Sequence, residues 1–200
     1  METVKLLQNN KIIKNAIIVF LGTILLTISA KVKIPFYPVP MTMQTFVVIF
    51  LGMCFGYKLG LATVALYLIE GIVGIPVFSN SPEKGVGMIY FTGPTMGYLL
   101  GFIMAVYMAG KFNFNKNYLL NFIKIFFSVL PIYVLGLIWL GILIGWDKPI
   151  FDLGAKPFLL AELFKILLLV IISTKVYFFK KFRSITFNVI SAYTLQDTFT

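Results

Sequence analysis

Six apolar runs, separated by short polar or proline-rich breaks, make up most of the chain. They fall at about residues 12–30, 43–55, 58–74, 95–110, 118–145 and 158–179. A helix that crosses the hydrocarbon core of a bilayer needs about 20 residues, with a range of about 17–25. The runs therefore predict an all-α, polytopic membrane protein with six transmembrane helices. They form one membrane domain over residues 1–200, with tails at 1–11 and 180–200. The second and fourth runs are short for a span, which predicts tilt against neighbours or extension into apolar flanks such as "YPVPM". The fifth is long enough to tilt.

An even number of spans puts both termini on one side. The N-terminal tail, the turn at Lys58, the "KFNFNK" loop and the C-terminal "KVYFFKKFR" carry most of the basic residues. The acids from Glu83 to Glu162 lie in the opposite loops or beside them. Basic loops stay on the cytoplasmic side, so both termini are expected in the cytoplasm. The three outward connections, 31–42, 75–94 and 146–157, are the long ones. They hold eight of the nine prolines, and Pro131 is inside the fifth run. The first contains "KIPFYPVPMTMQT", apolar, aromatic and stiffened by Pro35, Pro38 and Pro40. Such backbone at membrane depth is tolerated when it is buried in protein or lines a cavity. The two readings of it are a wall or lid over a cavity and an interfacial loop at headgroup level.

Composition supports the bilayer as solvent. The chain is 60% hydrophobic and 12% charged, whereas soluble domains run nearer half apolar and a quarter charged. There are 17 Lys and Arg against 7 Asp and Glu. In a soluble protein that excess raises nucleic acid as a partner. Here the charges flank apolar runs, so they read as topology and no nucleic-acid partner is expected. Cys54 is the only cysteine and there is no histidine. That excludes a disulfide within the chain, Cys/His zinc sites and His-dependent catalysis. No phosphate-cradling P-loop, H-E-x-x-H or G-x-S-x-G occurs. Neither a cofactor nor a metal is expected. No chain of intramembrane acids suggests a proton relay, so uphill transport would draw its energy from another subunit. The N-terminus, with Lys5, Lys11 and Lys14 before an apolar stretch and "TISA", imitates a signal peptide. The apolar runs that follow favour a retained first helix.

Ionisable and polar side chains in or at the edge of a span are functional candidates. Glu162 and Lys165 stand three apart in "PFLLAELFK" and share a helix face. Either Lys165 meets a ligand carboxylate while Glu162 accepts from ligand N–H groups, or the two pair with each other. Asn80 donates and accepts at once, or simply makes a turn before Pro82. Thr42 and Gln44 follow Pro40, where they cap the second run or face a ligand. Tyr90 precedes "TGPT" and reads as a site residue or an interfacial aromatic. Glu70, inside a run, pairs with Lys31 or Lys33 or lines a cavity. Gly93, Gly97 and Gly101, four apart, read as helix packing.

Three stretches together resemble one family. "KVKIPFYPVPMTMQT" resembles the signature after the first helix of BioY proteins, the biotin-specific S components of energy-coupling-factor (ECF) transporters. "EGIVGIPVFSN" followed by "GVGMIYFTGPTMGYLLGF" resembles the family's G-x-x-G-[LI]-P-V-F and G-P-T-x-G-Y-L-x-G-F segments. "KPFLLAELFK" resembles its P-F-L-P-G-D-L-x-K segment. The resemblance covers about residues 12–179. It implies a six-helix protein of the prokaryotic inner membrane that binds biotin near its outer face. It also implies a transmembrane coupling protein and a pair of ABC-type ATPases as partners, so the chain itself is a non-catalytic subunit. The family's ligand contacts fall here on Asn80, Glu162 and Lys165. Glu162 replaces the family Asp, and Leu160 and Ala161 replace its Pro-Gly. The family meets its coupling protein through small residues on the first helix. This chain offers Gly22, Thr23 and Thr27.

Biotin carries a cyclic urea with two N–H donors and a carbonyl, a thioether and a carboxylate tail. Glu162 and Asn80 suit the ring, Phe36, Tyr37 and Tyr90 an apolar wall, and Lys165 the tail. The alternatives are an S component or small carrier for another vitamin, a membrane enzyme, and a structural membrane protein without a ligand.

Overall fold

All six apolar runs fold as helix in the computed structural model, which describes the backbone of residues 2–196 and the side chains of residues 12–177. The basic tails at 1–11 and 180–200 lie outside the residues whose side chains are described. The helices are α1 (Glu2–Lys31), α2 (Gln44–Ile72), α3 (Met96–Lys111), α4 (Tyr118–Ile144), α5 (Ile150–Gly154) and α6 (Leu159–Gln196). Among the described residues, four segments are long and apolar enough to cross a membrane: Ile12–Lys31, Gln44–Ile72, Tyr118–Ile144 and Ile150–Tyr177. α3, with 16 residues, is shorter.

The second and third runs share α2, but they do not form one rod. Gly56 leaves the helical region with φ 79° and ψ 173°, a conformation open to glycine and strained for other residues. In an unbroken helix Gly52 and Gly60 would stand ~12 Å apart. Instead, a methyl group placed on Gly60 would lie 3.4 Å from the Cα of Gly52. The Gln44 amide also reaches the Tyr67 hydroxyl at 2.8 Å. The chain doubles back at Gly56, so residues 44–55 and 57–72 are two packed antiparallel arms.

The proline-rich connector forms a small hairpin. Strands β1 (Lys33–Ile34) and β2 (Met41–Thr42) pair antiparallel, Lys33 with Thr42 and Ile34 with Met41. The 75–94 connection contains a short 3₁₀ turn, Gly87–Thr92. The third outward connection folds into α5 and a 3₁₀ turn, Lys156–Phe158, that leads into α6. Cross-bonds fix these connections to the helices. Lys31 Nζ donates to the carbonyls of Phe78 and Ser81 at 2.8 and 2.6 Å. Trp139 Nε1 donates to Gly93 O at 2.9 Å, and Tyr98 OH to Gly154 O at 2.7 Å.

Close helix approach rests on small residues, as it does between helices in lipid. A methyl group on Gly101 would sit 2.5 Å from Ile132 Cα, and one on Gly97 would overlap the Leu135 backbone, so α3 lies hard against α4. Gly93 precedes α3 and serves as the carbonyl acceptor for Trp139 instead. The outer surface is apolar: Phe20 and Leu21 on α1 are each 58% exposed, and Phe164 on α6 is 62% exposed. Buried among the helices are polar groups such as Gln44, Asn121, Ser128 and Ser173. This reverses the soluble arrangement and suits hydrocarbon as the solvent.

Candidate functional site

The site starts from the last turn before α2. Met41, Thr42, Gln44 and Thr45 leave the hairpin and enter the helix beside a hollow between α2, α3, α4 and α6. Val39 and Pro40 wall it from the hairpin, Ser79 and Tyr90 from the 75–94 connection. Tyr98 and Phe102 on α3, Tyr133 on α4, and Phe158 with Lys165 at α6 complete it. The proline-rich connector is thus part of the wall. The room for the centre of a water-sized sphere is about 50 Å³, several times the ~10–15 Å³ one water needs. Two other hollows are larger by this measure. A groove between α4 and α6 has about 310 Å³ and one between the hairpin and α6 about 250 Å³. Both are almost wholly apolar in surface, with Glu162 bordering the first and Lys33, Thr42 and Lys165 the second. Convergent polar groups mark the smaller hollow as the candidate site.

Lys165 and Glu162 are the centre of it. They are 4% and 5% exposed, and their Nζ and Oε2 atoms are 3.1 Å apart. All three Lys165 donors are engaged: Thr42 O at 2.7 Å, Thr45 Oγ1 at 3.0 Å and Glu162 Oε2. Oε2 also accepts from Thr45 Oγ1 and Tyr133 OH, each at 3.0 Å. Glu162 itself stands behind the wall of the hollow, and Thr45, Tyr133 and Lys165, which do line it, all converge on its carboxylate. A buried charge pair needs this kind of hydrogen bonding to offset its desolvation. The two charges meet at one point, an acceptor and a donor side by side.

The other sequence candidates are placed as follows. Thr42, Gln44 and Tyr90 line the hollow. Thr42 Oγ1 lies 3.3 Å from Gln44 Oε1, and the Tyr67 hydroxyl that accepts from the Gln44 amide donates in turn to Val77 O at 3.0 Å. The Tyr90 hydroxyl lies 3.2 Å from Ser79 Oγ, and its ring stacks on Phe78 at 4.7 Å. Asn80 is buried next to Ser79, and its Oδ1 accepts from Lys33 Nζ at 3.3 Å. Phe36 touches the hollow only through Phe158, edge-on at 5.7 Å. Tyr37 is 84% exposed with Lys84 over its ring. Glu70 is outside the hollow. It accepts from Thr23 Oγ1 at 3.0 Å, between α1 and α2, while Lys31 and Lys33 turn to the 78–83 segment. Gly22 packs against Thr63 of α2, Thr23 is buried, and Thr27 Oγ1 donates back to Thr23 O. Thr45, Ser79, Tyr98, Tyr133 and Phe158 were not singled out from the sequence. Tyr98 and Tyr133 had a signal, a hydroxyl inside an apolar run. Thr45 and Ser79 had none.

Fold and site together define a helical membrane protein built around a small, mostly apolar hollow with convergent polar groups beneath a proline-stiffened hairpin. Comparison with known proteins sharpens the class: residues 2–181 match the family described as the BioY family. The probable biotin transporter BioY of Pyrococcus horikoshii is 34% identical over 162 residues, 81% of this chain and 95% of that protein. The biotin transporter BioY of Thermotoga maritima is 32% identical over 154 residues, 76% of this chain and 89% of that protein. The crystal structure of an S-component for biotin from an ECF-type ABC transporter superposes with a TM-score of 0.69. Its sequence is 24% identical, and the match covers 86% of this chain and 94% of that one. The chain belongs to the BioY family.

Proposed function

We propose that this chain captures biotin and serves as the substrate-specific subunit of an ATP-driven ECF-type importer in a prokaryotic inner membrane. Its relatives are named as biotin transporters, and its family is one of transport subunits, not catalysts. ATP hydrolysis then belongs to a separate pair of ABC-type ATPases, joined through a transmembrane coupling protein. With the two arms of α2 counted separately, six helical spans put both termini on one side. Lys58 at the Gly56 turn and Lys111 at the end of α3 lie at the same end, since Tyr57 abuts Gly110. The hairpin and α5 lie at the other end. Basic residues mark the cytoplasmic side, so the hollow opens outward. α1 offers the coupling protein an open apolar face, including Ile17, Leu21, Ile24 and Ile28, beside Thr27.

The observation that carries the reading is the Lys165–Glu162 centre with its two hydroxyls. A cyclic urea presents N–H and C=O side by side. Lys165 supplies a donor to the carbonyl by exchanging one of its three present acceptors, such as Thr45 Oγ1, for the ligand. Glu162, through the hydroxyls of Thr45 and Tyr133 or directly when one of them turns away, supplies acceptors to the N–H groups. Tyr90 and Phe158 hold the apolar bicycle, with Phe36 and Tyr37 on the outer side. Asn80, Thr42 and Gln44 complete the polar rim. A vitamin of different pattern leaves these buried groups unpaired at about 1–3 kcal/mol each. Labelled biotin retained by the purified chain, displaced by unlabelled biotin and not by thiamin, riboflavin or lipoate, is the expected result. Retention of one of the other three in its place would reassign the substrate, and retention of none by folded protein would remove the proposal.

A further inference from the structure

The floor of the hollow is electrically balanced and its mouth is not. Lys165 is matched by Glu162, so a ligand carboxylate brought there would put two anions on one buried cation. At the mouth, the end of α1, the hairpin and residues 75–85 carry Lys31, Lys33 and Lys84 against a single acid, Glu83. An anion finds net positive charge there.

Lys33 is the cation placed to meet it. It pairs with Thr42 across the hairpin, and directly opposed residues send their side chains to the same face. Thr42 lines both the hollow and the hairpin–α6 groove, and Lys33 lines that groove. The Lys33 ammonium reaches the rim of the hollow at Ser79, which does line the hollow. Its Nζ donates to Ser79 O at 2.7 Å, Asn80 Oδ1 at 3.3 Å and Glu83 Oε2 at 3.2 Å. Ser79 and Asn80 are buried. Glu83 differs: its side chain is 70% exposed, and an exposed ion pair is weakly held. One donor position of a rim cation is therefore already filled by a carboxylate, from a residue that leaves readily.

We propose that Lys33 is the carboxylate subsite of the ligand site and that Glu83 is a resident counter-ion which the ligand carboxylate replaces. The inference rests on the reading that the chain binds biotin. It assigns the two ends of the molecule, the urea to the Lys165 centre and the acid to Lys33. One carboxylate exchanges for another, so no proton or net charge is gained at Lys33. Lys33 then distinguishes an acid from a neutral amide of the same shape, and Glu83 holds affinity down.

The test measures binding of biotin and of its neutral carboxamide to the purified full chain and to Lys33→Met, Lys33→Arg and Glu83→Gln. Lys33→Met is expected to lose about tenfold or more for biotin and less than about threefold for the amide. Lys33→Arg keeps the preference for the acid. Glu83→Gln binds biotin about threefold or more tightly and leaves the amide unchanged. Equal loss of both ligands in Lys33→Met would mean that Lys33 only holds the loop, and it overturns the subsite, as does no change in either. Weaker biotin binding by Glu83→Gln overturns the exchange. If folded wild-type chain retains neither ligand, the biotin reading itself fails and takes the subsite with it. If wild type retains biotin and the acid–amide ratio of Lys33→Met matches it, the subsite alone fails.

Discussion

At the scale of single residues, the molecule concentrates its cost in one place. Glu162 and Lys165 are buried together, and every donor of Lys165 is used. Removing one partner strands the other. Glu162→Ala is expected to destabilise the fold by about 3–5 kcal/mol, whereas an apolar pair, Glu162→Leu with Lys165→Met, restores stability to near wild type. Unfolding in detergent, followed by circular dichroism, distinguishes the two. Tyr133→Phe removes one charge-assisted bond to Glu162 and should weaken biotin binding by about 1.5–3 kcal/mol, read by titration calorimetry. An unchanged affinity would take Tyr133 out of the site. Part of this centre was visible in the sequence, because an acid and a lysine three apart in an apolar run are unusual. Thr45 was not: it meets Glu162 across 117 residues of chain, and a threonine at a helix start is ordinary. Of the two sequence readings of Glu162 and Lys165, the ion pair is present, because their shared helical spacing brings the charges to 3.1 Å.

At the scale of elements, length and hydropathy made the helices legible, including the separation of the second and third runs that the Gly56 reversal now explains. Gly56→Ala meets nothing within 4 Å, yet takes a left-handed φ. It should cost about 1–3 kcal/mol from backbone strain alone. Gly101→Ala does the reverse, with ordinary φ and a clash against Ile132 Cα. It should cost about 1–3 kcal/mol by pushing α3 from α4. Thermal unfolding of both variants checks these values, and a neutral Gly101→Ala would mean that the helices do not touch there. The hairpin, α5 and the inward turn of Gly22 and Thr23 were not legible. Proline content marks a stiff connector without fixing its pairing, and which side of α1 packs on α2 depends on Thr63 and Glu70, distant in sequence.

At the scale of the whole molecule, hydrocarbon as solvent explains the pattern: apolar side chains outward and polar groups inward. The central claim is that this hollow, through the Lys165–Glu162 centre, is where biotin binds. The direct measurement is calorimetric titration of biotin into wild type and into the folded Glu162→Leu, Lys165→Met variant. The account predicts saturable one-to-one binding to wild type and loss of about a hundredfold or more in the variant. Equal affinity in the two would contradict it.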